Sequence, residues 1–176
     1  IDGEGNLYVV EQCNHCICKV TPQGVMSTFA GIPGYKGCAD GEGASAQFYS
    51  PRGICLDGDG NVLVADYENH RVRKITPQGV VSTLAGTGEA GHRDGAGASA
   101  QFNEPDGICV DGAGNIVVAD SGNHRIRMIT PQGVVSTLAG AAAAKGHRDG
   151  DGAAAMFNQP CGVAVDAEGN AYVVDH

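Results

Sequence analysis

The chain has 176 residues, 42% of them apolar, enough for one domain with a core of its own. Its 20 acidic residues face only 11 Lys and Arg, a net charge of −9, which argues against nucleic acid and against an anionic membrane surface, since both are held by basic stripes. Glycine is abundant at 28 residues, aromatics make up 5% and Trp is absent, a composition that suits short strands joined by tight turns rather than helices.

In chain order, Ile1-Asp2 reads as the end of an inner strand, followed by the turn DGEGN and the strand that ends at Val10. The segment Cys13-Asn14-His15-Cys16-Ile17-Cys18 comes next. Three thiols and an imidazole could serve a soft metal, but the spacing is wrong for a zinc knuckle and no second half-site follows. The expectation is therefore a solvated strand on which the cysteines are drift, with metal or redox use of Cys13, His15, Cys16 and Cys18 as outside alternatives. Seven cysteines without regular spacing do not look like a disulfide framework, so most are expected to be free thiols.

From Pro51 the pattern is complete. GICLD (53–57), NVLVAD (61–66), HRVRKI (70–75) and VVSTLAG (80–86) are four strand candidates rich in Val, Ile, Leu and Thr, each bounded by turn residues. HRVRKI alternates as a strand with one solvated face should, whereas NVLVAD is apolar enough to be buried on both faces. The same order recurs over 105–140. Asn6, Asn61, Asn115 and Asn170 mark one phase of a repeat of 54–55 residues, Asp40, Asp94 and Asp149 another, and ITPQGVVSTLAG occurs twice unchanged. Tandem four-stranded antiparallel units are the blades of an all-β propeller. About 3.3 repeats are present: blades at about 51–86 and 105–140, with incomplete ones at 1–31 and 160–176. Three and a third blades cannot close a ring, so residues 1–176 are expected to be an internal part of a single larger propeller, completed by the same chain or by a second copy.

The blade motif, G-[IV]-x-[VL]-D-x-x-G-N-x-x-V-A-D followed by D-x-x-N-H-R-[IV]-R-x-I-T-P-x-G, resembles the NHL repeat. Asp66, Asn69, His70 and Arg71 carry it in one blade, and Asp120, Asn123, His124 and Arg125 in the next. The resemblance implies a propeller, commonly six-bladed, used mostly for binding. A motif present in every blade is expected to hold the blade together rather than to form a site.

Strands that alternate in direction put the Glu-Asn-His turns and the long linkers, 87–105 and 141–160, on one face, and the Asp-Gly and Thr-Pro-Gln-Gly turns on the other. Linkers several times the usual length are where binding is expected. His92, Arg93, His147 and Arg148 are the candidate contacts, while Phe48, Phe102 and Phe157 are expected to tie the loops down. Asp57-Gly58-Asp59-Gly60-Asn61 is read as a hairpin turn rather than a calcium loop, because the bidentate Glu is missing. The functional expectation is a non-catalytic scaffold for a protein partner, without a cofactor and without insertion into a membrane. The alternative is a metal-dependent hydrolase or lyase, lactonase-like or amidating-lyase-like, because related propellers hold a metal at the axis. Its ligands would lie in other blades, since the inner strands are expected to carry no blade-specific channel ligands.

Overall fold

The structure is a computed structural model and describes residues 1–140 and 145–176; the first four residues of the linker 141–160 lie outside that description. Every strand pairing is antiparallel. β1 (Leu7–Glu11), β2 (Cys16–Val20) and β3 (Met26–Ala30) form the first sheet. The second contains β5 (Pro51–Leu56), β6 (Val62–Asp66), β7 (Arg71–Ile75) and β8 (Val80–Ala85) in that order, with β4 (Gly41–Glu42) added outside β8. The third repeats it with β10 (Pro105–Val110), β11 (Ile116–Asp120), β12 (Arg125–Ile129) and β13 (Val134–Ala139), and β9 (Gly95–Ala96) on its outer edge. The fourth consists of β14 (Gly162–Val165) and β15 (Ala171–Val174).

The sheets are successive blades of a β-propeller. The expected four strands are present in the second and third blades, and each of these sheets gains a short fifth strand. The fifth comes from the linker that precedes the blade, where Gly41 pairs with Val81 and Gly95 with Val135. A linker thus leaves one blade, runs along the outer edge of the next and caps it, then turns inward to its innermost strand. The cap also covers an edge whose backbone groups would otherwise stand unpaired.

Turn chemistry sets the strand spacing. In Asp57–Asn61 the Asp57 carboxylate accepts the N–H groups of Asp59 (3.0 Å) and Asn61 (2.8 Å) and the side-chain amide of Asn61, while Gly60 supplies a φ of 79°. Asp2, Asp111 and Asp166 do the same for their own turns. At the other end of the blade His15, His70 and His124 close three-residue 3-10 turns with left-handed φ of 53–57°, a conformation uncommon for residues with a Cβ.

The core lies between blades. Leu63 and Val72 of the second blade pack on Phe102, Ile108 and Val118 of the third. Ile17 of the first packs on Phe48, Val62 and Ile75 of the second. β6 and β11, in the two blades that have a neighbour on each side, bury one face against the blade before and the other against the blade after, and so are buried along their whole length. At the axis a Cβ on Gly53 would collide with the backbone of Asp106 and Gly107. Glycine there lets adjacent inner strands approach closely.

Candidate functional site

The motif residues turn inward. Asp66 accepts from Tyr49 N–H (2.8 Å), Asn69 Nδ2 (2.8 Å) and the Arg73 guanidinium (2.7 Å). Arg73 also donates to the carbonyls of Gln47 and Ala39 and to the Asp40 carboxylate (2.6 Å), and its guanidinium lies 5.2 Å from the centre of the Phe48 ring. Asp120, Asn123, Arg127, Asp94 and Phe102 repeat the arrangement one blade on. Each linker is stitched through its arginine and aspartate to the blade that follows it. His70 Nδ1 accepts the N–H of Glu104 (3.0 Å), His124 that of Gln159 (3.0 Å) and His15 that of Ser50 (3.2 Å), so each imidazole ties a blade to the start of the next inner strand. Arg71 bridges the two linkers beside it through Cys38 O and Thr87 O.

This geometry corrects the reading of HRVRKI as half solvated. Arg73 and Arg127 are fully buried, because the preceding linker folds over the face that alternation assigns to water. The same correction applies to the cysteine segment. Cys16 and Cys18 are buried rather than solvated, and burial together with the Cys18 thiol pushes Cys16 up to about 11. Cys13 is exposed, and His15 is engaged with Ser50. Among the described residues, no three His, Cys, Asp or Glu side chains are grouped to hold a metal, and all seven cysteines are free thiols.

The candidate contact residues are not brought together on the linker face. His92 lines a cavity of about 450 Å³ with Asp94, Arg125, Thr137 and Leu138. Its Nε2 lies 2.9 Å from Thr137 Oγ1, and the Arg125 guanidinium rests against the ring. Partial burial, and then the charges of Arg127 and Arg125, lower the pKa of His92, so the ring is neutral at pH 7. Arg93 holds its linker by backbone pairing with Gln101, and its side chain is exposed. His147 and Arg148 lie beside Asp149, Phe157 and Asp175, whose counterparts one repeat earlier, Asp94, Phe102 and Asp120, surround Arg127 of the third strand. There the Arg148 guanidinium is turned onto Ala154 O (2.6 Å). Phe48 and Phe102 are fully buried and Phe157 is partly so.

A third location was missed in the sequence. At the axial mouth of the same face the inner strands begin with Arg52, Asp106 and Cys161, and the facing turns carry Tyr67, Ser121 and His176. Arg52 pairs with Asp106 (2.7 Å) and stacks on Tyr67 (3.6 Å to the ring centre), whose hydroxyl donates to Glu104 (2.9 Å). Burial and that bond push Tyr67 up to about 12. These side chains surround a cavity of about 230 Å³ and differ from blade to blade. A comparison of the strand ends at Asp57 and Asp111 passes over these positions, because the differences lie near the strand starts, and a repeat-by-repeat comparison there carries the signal.

Comparison with known proteins places these features in context. The NHL repeat family model matches residues 48–75 and 102–127. The chain is 41% identical over 91 residues to Protein SUPPRESSOR OF QUENCHING 1, chloroplastic, of Arabidopsis thaliana, covering 51% of this chain and 9% of that one. It is 40% identical over 97 residues to NHL repeat-containing protein 2 of Gallus gallus, covering 53% and 13%. It thus spans only a small part of these curated relatives. Among solved structures, a protein of unknown function from Bacteroides thetaiotaomicron superposes with a TM-score of 0.79 at 24% identity, over 97% of this chain and 42% of that one. An auxiliary nutrient binding protein of the same organism does so at 0.76 and 20%, over 98% and 43%. A streptogramin B lyase does so at 0.66 and 15%, over 99% and 46%. These likenesses show the fold, which serves binding proteins and enzymes alike. Among the described residues no helix is long and apolar enough to cross a membrane.

Proposed function

We propose that this chain, which belongs to the NHL-repeat family, is a non-catalytic scaffold that binds a protein partner through the linker face of its propeller. One observation carries the reading. The polar residues that recur between the second and third blades are consumed by bonds within the propeller, whereas Arg52, Asp106 and Tyr67 at the mouth, which differ from blade to blade, lie on the same face as the exposed linker residue Arg93. Repetition serves the scaffold, and variation serves recognition. Tyr and Arg side chains of this kind also dominate protein interfaces energetically.

The enzyme reading, a metal-dependent hydrolase or lyase with its ligands in other blades, is favoured by the lyase of the same fold. The test for both uses the full-length protein and the proteins that cross-link to it at lysine and carboxylate side chains. Arg93→Ala with Arg148→Ala, and separately Arg52→Ala, are expected to remove those cross-links, while Glu168→Ala on the opposite face preserves them. The reverse pattern sinks the scaffold reading, and so does lactone turnover that requires an added divalent metal.

A further inference from the structure

The face opposite the linkers carries a cleft that the repeat itself explains. Between the first and second blades, Tyr8 and Phe29 form an edge-to-face ring pair with centroids 5.0 Å apart. The Tyr8 hydroxyl donates to Asp2 (3.1 Å), Lys19 lies over its ring, and the Phe29 ring reaches to within 4.0 Å of where a Cβ on Gly79 would stand. One repeat on, the positions of Tyr8 and Phe29 are held by Leu63 and Leu84. Nothing lies within 4 Å of the corresponding point at Gly133, and a cavity of about 300 Å³ opens between the second and third blades. Its floor is Leu63, Leu84, Val110 and Ile116, and its rim is Asp57, Asp59 and Lys74.

We infer that this inter-blade cleft is a docking site for an aromatic side chain of a partner protein that has a basic residue next to it. Three observations select that occupant. The neighbouring interface fills the same space with aromatic rings, so the walls already have the shape of a ring. The volume is at the lower limit for a small-molecule pocket, which suits one inserted side chain rather than a free ligand. The surroundings are acidic: the Asp-Gly turns bring Asp2, Asp57, Asp111 and Asp166 to this face against Lys19 and Lys74. Lys74 is 3.6 Å from Asp57, and among the described residues Asp59 has no cationic partner. A Lys or Arg beside the inserted ring therefore meets an unpaired carboxylate.

The probe is the peptide acetyl-Gly-Phe-Lys-Gly-amide, added to the methyl-labelled protein and followed by the methyl chemical shifts of Leu63, Leu84, Val110 and Ile116. Saturable shifts at those four residues are expected. Leu63→Tyr with Leu84→Phe restores the ring pair of the neighbouring interface, complete with the Asp57 and Lys74 counterparts of Asp2 and Lys19, and should weaken binding at least tenfold. Leu84→Phe alone gives the same direction should the double variant fold poorly. Asp59→Asn should weaken binding roughly two- to fivefold, the range of an exposed ion pair. Arg93→Ala with Arg148→Ala should change nothing, which separates this site from the linker face. The inference is overturned if the filled variant binds as tightly, if replacing Phe by Ala or Lys by Glu in the peptide changes nothing, or if no shift saturates. It is equally overturned if 2-phenylethylamine binds as well as the peptide, since the occupant is then a small amine.

Discussion

At the scale of single residues, the propeller depends on buried charge. Arg73 and Asp66 are both fully buried; Asp66 also accepts from Tyr49 and Asn69, and Arg73 donates to Gln47, Ala39 and Asp40, only its Nε being left without a partner. Removing one member leaves a desolvated charge of the other sign, so Arg73→Ala is expected to cost about 3–5 kcal/mol in urea denaturation. A loss below 1 kcal/mol would mean that the linker does not cover the arginine in solution. His70 contributes differently, by keeping a left-handed turn and accepting one N–H across the blade boundary. Asn tolerates that backbone but does not reproduce the ring acceptor. His70→Asn should cost about 1 kcal/mol, the net value of one hydrogen bond, and an unchanged denaturation midpoint would contradict the inter-blade bond. The recurrence of Asp66, Asn69 and His70 was legible in the sequence. The burial of Arg73 was not, because alternation along a strand tells which side chains share a face but not which distant segment covers that face. The covering segment starts more than 30 residues earlier.

Elements show where turn chemistry overrides strand propensity. Sequence alone located the four strands of the second blade to within two residues, since Asp-Gly and Pro-Gln-Gly turns bound them sharply. It did not locate β4 and β9, because a two-residue strand of glycine, alanine and glutamate has neither periodicity nor propensity. Their existence follows from the exposed edge they cover. The hairpin turns also make a prediction about acid. Bonds from Asn6, Asn115 and Asn170 lower the pKa of Asp2, Asp111 and Asp166, Asp2 to about 2; at Asp57 burial raises the pKa, but the bonds from Asn61 outweigh it and the net shift is downward. A carboxyl lowered on folding contributes stability that is present above its unfolded value of about 3.9 and is lost as pH falls through the folded value. Stability should therefore decline between about pH 4 and pH 2, and Asp57→Asn with Asp111→Asn should flatten that decline. Equal slopes for variant and parent in acid titration would remove the turns as its cause.

Across the whole molecule, burial is set by how many blades flank a strand and by its place in the blade. β6 and β11 have a blade on both sides and are buried throughout, whereas the outer strands β8 and β13 leave Val80 and Val134 exposed. Amide exchange should be slowest in Val62–Asp66 and Ile116–Asp120 and faster in Val80–Ala85 and Val134–Ala139, because opening free energy follows local packing. Uniform exchange would mean that the blades open together. The path of the linker has a consequence for how such repeats can be exchanged. Because each linker lids the blade after it, the self-sufficient module runs from one left-handed glycine to the next, from Gly31 to Gly86 or from Gly86 to Gly140, with φ of 96°, 105° and 113°. A graft joined at those glycines transfers a blade with its own lid, its buried arginine and the carboxylate that neutralises it. A graft joined at Pro51 and Pro105, where the strands begin, would place every arginine under a lid from a different parent.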